Sequence, residues 1–427
     1  MWSLIFSLQY FCIIVWILTS AIGYNISLTK TFIPIFFFIS FFSLGHYFLK
    51  DRLKIMSYKY FLVILILIYI SSFFSIINYF RSIKDINIVL YSFIVPFSLL
   101  FCQLIIWILP QSNKNISNIF KVLKVVFFIN AIVTTIFFLS INIFEVIDLD
   151  TIWHLSIQNT VLMKIAGNTW YRTPGIFEIG GTNGTFLLIF LSLSISKYFY
   201  AKTENLKNKY LIFIILVSIL IFFTLTRRTY LCLLLSIFIL ILIKNFNKIT
   251  FLKLIIFIIS LTSIFISLFI INIQFEGIFS LDSLYDRLQF WYMSINNIIG
   301  ADLINLFVGL GILQSALNQS IMSIYTYTVL DNGFIECIMH SGIIFTTIFI
   351  LYILLLFRDN LKFISSSKIL YEYKWIPLFN ILMIINMFVL MIFSTFIFNI
   401  TESFVYLFLI NYLTRFLLEN YSELNRG

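Results

Sequence analysis

Apolar residues come in long unbroken runs along this chain, and the runs are too long for strands. A helix needs about 20 apolar residues to cross a bilayer. Twelve runs meet that measure, at 4–22, 32–48, 60–77, 89–109, 122–144, 184–199, 211–225, 229–243, 254–273, 334–357, 376–398 and 404–418. They do not alternate polar with apolar positions as barrel strands do. The pattern predicts an all-α fold, a polytopic membrane bundle of about 12 transmembrane helices forming a single domain over 1–427. Two connections are long, at 145–183 and 274–332, and loops of that length are usually functional or disordered. Tryptophans and apolar stretches within both argue against disorder.

Charge gives the bundle a direction, because Lys and Arg gather in cytoplasmic loops. The even-numbered connections with the adjoining span ends hold 4, 3, 4, 3 and 4 of them and the C-terminal end 2, twenty of the 28 in all, against eight in the odd-numbered connections. Both termini are therefore expected in the cytoplasm, with the two long loops outside. The residues before the first span carry no basic side chain, so that span reads as a retained helix rather than a signal peptide.

Composition agrees: the chain is 61% hydrophobic and 11% charged, with a mean hydropathy of +1.04. Its net charge of +10 follows from the basic cytosolic loops and calls for no nucleic-acid partner. The longest cytosolic connection, 358–375, is too short for a nucleotide-binding domain, and no Gly-rich phosphate loop is present. A donor substrate would then arrive within the membrane or from outside. Cys12, Cys102, Cys232 and Cys337 show no paired spacing, so neither disulfide nor metal site is expected. No internal repeat supports an inverted-repeat transporter. The sequon Asn183-Gly184-Thr185 reads as chance.

Four arginines sit against the orientation bias, around the two long loops. Arg172 lies in Trp170-Tyr171-Arg172-Thr173-Pro174-Gly175, followed by Gly180-Gly181-Thr182-Asn183-Gly184. Pro and Gly make tight turns that can aim backbone amides at a ligand. Arg172 either clamps a phosphate bidentately or pairs with Glu178 to stiffen the loop. Arg227 and Arg228 occupy a short turn between two spans, where one can snorkel to headgroups while at least one is expected to point into the bundle. Arg287 falls in an amphipathic stretch, 282–299, with Leu284, Leu288, Trp291, Ile295 and Ile298 at helical spacing. It lands at the edge of the apolar stripe one turn before Trp291, facing protein or a cavity, with a cation–π contact as the bland alternative. Gly309-Leu310-Gly311 follows and would let the chain dip back toward the membrane.

The last constellation is Asp331-Asn332-Gly333-Phe334-Ile335-Glu336, with His340 beyond. Glu336 and His340 are one turn apart on a helix. They form either an interhelical bridge or a functional pair at membrane depth. Asp331 is either a general base at the outer mouth or an N-cap. His154, alone in a loop, has no partner in the sequence that suggests a role.

With these residues assembled, the chain resembles the bacterial O-antigen and capsular polysaccharide polymerases of the Wzy type, which are related to the O-antigen ligases. The likeness covers most of the chain as topology. Locally it rests on RTPGIFEIGGTNG, TLTRRTYL, the DRLQFW helix running into LFVGLG, and LDNGFIECIMHSGI. The resemblance implies an enzyme of the bacterial cytoplasmic (inner) membrane that needs no cofactor, nucleotide or metal. It would transfer a glycan from a polyprenyl pyrophosphate carrier to a sugar hydroxyl of another lipid-linked repeat unit. It also implies membrane lipid and a chain-length regulator protein as partners. Carried over residue by residue, pyrophosphate binding falls to Arg172, Arg227 or Arg228, and Arg287, with Asp331, Glu336 and His340 as the catalytic candidates. Ligases usually carry histidine where this chain has Asp331, which favours the polymerase. The alternatives are a ligase-like glycan transferase and a flippase or exporter of lipid-linked oligosaccharide, whose basic residues should line the membrane interior.

Overall fold

A computed structural model describes residues 112–144, 162–165, 168–173, 175–177, 180–243, 332–366, 371–394 and 400–424, with single positions 106, 289, 291, 292, 296, 306, 307 and 309. Among the described residues the architecture is helical apart from one short hairpin. In chain order the elements are α1 (Asn113–Asn142), the antiparallel strands β1 (Leu162–Ile165) and β2 (Asn168–Tyr171), α2 (Gly180–Phe199), α3 (Glu204–Phe223), α4 (Arg227–Ile243), α5 (Gly333–Ser365), α6 (Trp375–Phe393) and α7 (Ile400–Leu424). Expected spans 122–144, 184–199, 211–225, 229–243, 334–357, 376–398 and 404–418 each fall on one of these helices. The spans expected at 4–22, 32–48, 60–77 and 254–273 lie outside the described residues, as does all of 89–109 except the helical residue Ile106. Four stretches, Asn113–Asn142, Glu204–Phe223, Ser341–Ser365 and Tyr371–Phe393, are long and apolar enough to cross a membrane.

Local chemistry starts and stops these helices. The Ser112 hydroxyl accepts from Asn115 N and the Thr203 hydroxyl from Leu206 N, satisfying first-turn amides of α1 and α3. Asn332 does the same for α5, its carboxamide oxygen accepting from Phe334 N and Ile335 N at 3.0 Å each. The cap expected at Asp331 is thus made by its neighbour, whose extended backbone precedes the first helical residue, Gly333. The tenth span is also not one straight helix. Gly342, at φ 79 and ψ 170, interrupts α5, so Glu336 lies on a short piece ahead of the membrane-length run that begins at Ser341.

α6 forms the centre of the bundle. Nearly every residue from Ile376 to Met391 is buried, as expected for a helix apolar on all sides. Two asparagines on it join its neighbours. The Asn386 amide donates to Ser192 of α2 and accepts from Ser236 of α4. The Asn380 amide donates to Asn360 of α5 and Thr414 of α7. Such bonds matter inside a bundle because lipid supplies no competing partner.

The contacts sort the helix ends into two sets. At one end, Tyr373 meets Asn113, Tyr200 meets Tyr371, and Lys197 lies over Trp375. Lys114, Lys121, Lys124, Lys197, Lys202, Lys207, Lys209, Lys362 and Lys374 belong to this end by their position on the helices. The other end gathers the start of α2, the end of α3, and the starts of α4 and α5. It holds Arg172, Arg227 and Arg228 and no described lysine side chain.

Candidate functional site

The segment carrying Arg172 is held to three helices at the lysine-poor end. The Thr173 hydroxyl donates to Phe223 O at 2.6 Å, tying it to the last residue of α3. Asn183, four residues into α2, donates to Thr173 O at 3.1 Å and to the Thr134 hydroxyl at 3.0 Å. Its carbonyl oxygen accepts from Asn130 Nδ2 at 2.7 Å, so the whole carboxamide is satisfied. Asn130 Oδ1 in turn accepts from Ile176 N at 3.0 Å. The turn amide that sequence reasoning offers to a ligand is therefore taken by α1. Asn183 is fully buried, which fits reading its sequon as chance.

Gly175 makes this clamp feasible. Its φ of +64 suits glycine, and a Cβ there would meet Asn130 Oδ1 at 2.3 Å, Thr134 Oγ1 at 2.7 Å and Asn183 Nδ2 at 2.8 Å.

The Arg pair is set by the turn between α3 and α4. Leu225 lies in the left-handed region at φ 49 although fully buried, a strained conformation for a non-glycine residue. Thr226 O accepts from the amides of Thr229 and Tyr230, so α4 begins at Arg227. Both arginines thus occupy the first helical turn rather than a free loop. Arg228 turns inward: its guanidinium lies so close to Gly181 that a Cβ there would meet Nη2 at 2.5 Å. Its charge also reaches the buried Cys232. The Tyr230 hydroxyl donates to Phe222 O at 2.7 Å, closing over the turn, and the Arg172 charge acts on that tyrosine. Arg172, Arg227 and Arg228 are half-buried at the same end of the bundle, Arg172 near Tyr230 and Arg228 against Gly181, with the Nε atoms of Arg172 and Arg227 shut off from solvent.

Gly181→Ala tests this packing. Only the far end of Arg228 opposes the added methyl, so the helix should tolerate it while the guanidinium is displaced. We expect a thermal midpoint in detergent within a few degrees of the unaltered protein, against a large drop if the added methyl cannot be accommodated.

Glu336 approaches along a different helix. Gly333 packs on the end of α6, where a Cβ would meet Ser394 O at 3.1 Å, and Phe334 stacks on Phe388. Phe388 is two residues past Asn386, about 200° around the helix. α5 therefore packs on the side of α6 away from α2 and α4. Glu336 is half-buried, with Oε2 shut off from solvent. Ile335 packs against Trp291 and Leu306, which brings these two residues to the start of α5. In the 282–299 stretch, Gln289, Trp291, Tyr292 and Asn296 are helical; Gln289 and Asn296 are exposed and Trp291 half-buried, as the amphipathic pattern expects. Gly309 is buried with φ +81. Asp331, Arg287, Glu178, His154 and the side chain of His340 lie outside the described residues.

No protein-family model and no curated protein matches this chain.

Sequence reasoning selected the arginines and missed what holds them. Asn130 and Thr134, one turn apart within an apolar run, were the available signal, since polar groups at membrane depth are costly without a partner. The described residues contain no group of three or more His, Cys, Asp or Glu placed to hold a metal.

Proposed function

We propose that this chain is a membrane glycan polymerase acting on lipid-linked repeat units, with the corner formed by Arg172, Arg227 and Arg228 receiving the diphosphate of a polyprenyl carrier. The lysine-rich end would face the bacterial cytoplasm and the arginine corner the outer side, which puts both termini inside.

One observation carries the reading. Arg172, from the loop tied to α3, and Arg227 and Arg228, from the first turn of α4, lie at the same end of the bundle as the N-termini of α2 and α4, and neither first turn holds an acidic residue. Helix N-termini are themselves positive, so Arg227 and Arg228 lie where the dipole opposes them by about 0.3–1 kcal/mol each. A multivalent anion reverses that sign and turns repulsion into attraction. A diphosphate on a lipid has the matching charge and reaches this depth.

In the proposed transfer, an acceptor hydroxyl attacks the anomeric carbon of the donor sugar. The new C–O bond forms as the bond to the diphosphate oxygen breaks, and the leaving group keeps the electron pair. The hydroxyl proton passes to a carboxylate, for which Asp331 is the candidate; Glu336, on a helix packed against the opposite side of α6, does not stand at the arginine corner. The arginines stabilise the charge growing on the diphosphate, and a dehydrated site strengthens that effect.

The test is reconstitution. Purified protein given a synthetic polyprenyl-diphosphate repeat unit should build a ladder of longer glycans with no nucleotide or metal added. Movement of the intact lipid between leaflets with no chain growth would instead support the flippase reading. Transfer of a single glycan to a lipid acceptor, with no ladder, would support the ligase.

A further inference from the structure

The lysine-rich end carries a second arrangement that the proposed transfer does not use. Phe127 of α1 and Phe190 of α2 pack as tilted rings with centroids 4.4 Å apart, setting the two helices side by side. Seven residues from each, toward the lysine-rich end and on the same helix faces, stand Phe120 and Lys197. Lys124 lies between them on α1. Trp375, the first residue of α6, closes this notch from the third side. Its ring meets Phe120 edge-on at 5.6 Å, and Lys197 Nζ stands 4.7 Å from its centroid.

Two ammonium groups share the notch. Lys124 is close enough for its charge to act on Lys197. Like charges repel, and Lys197 is half-buried, so water screens its side of the repulsion only in part, whereas Lys124 is exposed. Among the described residues, neither lysine makes an ion pair or a hydrogen bond through its side chain. Lys121, exposed one turn before Lys124, adds a third positive charge at the rim.

The distance along α2 supports a lipid anion. Lys197 is 17 residues into α2, about 26 Å from its start along the axis. That is close to the thickness of the hydrocarbon layer, so the ammonium reaches headgroup level. Trp375, Tyr200, Tyr371 and Tyr373 around it have the character of an interfacial aromatic belt.

We propose that Lys197 and Lys124, in front of the Trp375 ring, hold the phosphate of an anionic phospholipid of the bilayer at the lysine-rich end. The Trp375 face supports Lys197 through a cation–π contact, the lipid phosphate neutralises both ammonium groups, and the acyl chains run along the apolar outer face of α1. Val125, Phe128, Ile129 and Ile132 are exposed there. The site stands apart from the arginine corner and does not depend on the reaction proposed for it.

Native mass spectrometry of the full chain, released from nanodiscs of equimolar phosphatidylglycerol and phosphatidylcholine, tests it. The unaltered protein should retain phosphatidylglycerol in preference. Lys124→Gln should weaken that preference about five-fold, and the double variant Lys124→Gln/Lys197→Gln more than ten-fold. Lys124 is exposed, so the single variant gives a reading even if the double one folds poorly. Lys197→Arg should preserve the preference. Equal retention by the unaltered protein and Lys124→Gln would overturn the site, and so would equal retention of phosphatidylcholine. If inorganic phosphate raises the thermal midpoint in detergent as much as phosphatidylglycerol does, the ligand is a soluble anion and the lipid assignment fails.

Discussion

If the chain elongates lipid-linked glycans as proposed, Arg172→Ala and Arg228→Ala should each lower elongation by about a hundred-fold while membrane levels stay unchanged. The expectation follows from how the two side chains reach one corner. Arg172 arrives on a loop whose next residue is bonded to the end of α3, and its charge acts on Tyr230. Arg228 arrives on the first turn of α4 and lies flat against Gly181 of α2. An anion between the N-termini of α2 and α4 would be met by both. On the proposed reading, removing either leaves charge on the departing diphosphate less well compensated. Lysine at either position should recover only part of the rate, because an ammonium cannot present the paired donors of a guanidinium. Ladder formation by purified variants is the measurement. Full activity in both alanine variants would refute the arginine corner as the diphosphate site, whatever the fate of Arg287.

The largest effect on stability is expected at Gly175. Alanine there must hold a left-handed backbone and place a methyl within 2.3–2.8 Å of Asn130, Thr134 and Asn183. Those three side chains bond to one another and to the loop, so none can withdraw without losing a hydrogen bond. Backbone strain and overpacking together should cost about 2–4 kcal/mol. The midpoint of thermal unfolding in detergent should fall accordingly, and transfer should fall with it as the Arg172 segment comes away from α3. A midpoint within a degree of the unaltered protein would show that the clamp does not hold the loop. Gly181→Ala is the contrast: there a flexible arginine tip opposes the methyl, so position changes and stability does not.

Much of the helical plan could be read from the chain because hydrophobicity over about 20 residues is a local quantity. The runs at 122–144, 211–225 and 404–418 each became a helix because an apolar segment in lipid must satisfy its backbone internally. Finer local detail was less legible. The β1–β2 hairpin sits inside a loop whose apolar residues gave no strand period long enough to recognise. The kink at Gly342 was hidden in an apolar run, where a glycine passes as a small packing residue. Asn332 took the cap that Asp331 was equally suited to provide.

By itself the sequence determined that the protein is built of membrane helices, and that its basic residues divide unequally between two sides. It also singled out arginines on the sparse side as the residues needing a partner. Only the tertiary structure decided what each of them packs against. Arg172 and Arg228 are 56 positions apart, and Thr173, Asn183 and Gly181, whose polar or small side chains look incidental in a linear reading, hold both to the same end of the bundle. The lysine notch beneath Trp375 has the same origin. Hydropathy is set by each residue and its near neighbours, whereas convergence depends on how helices pack, and packing is a property of pairs distant in the chain.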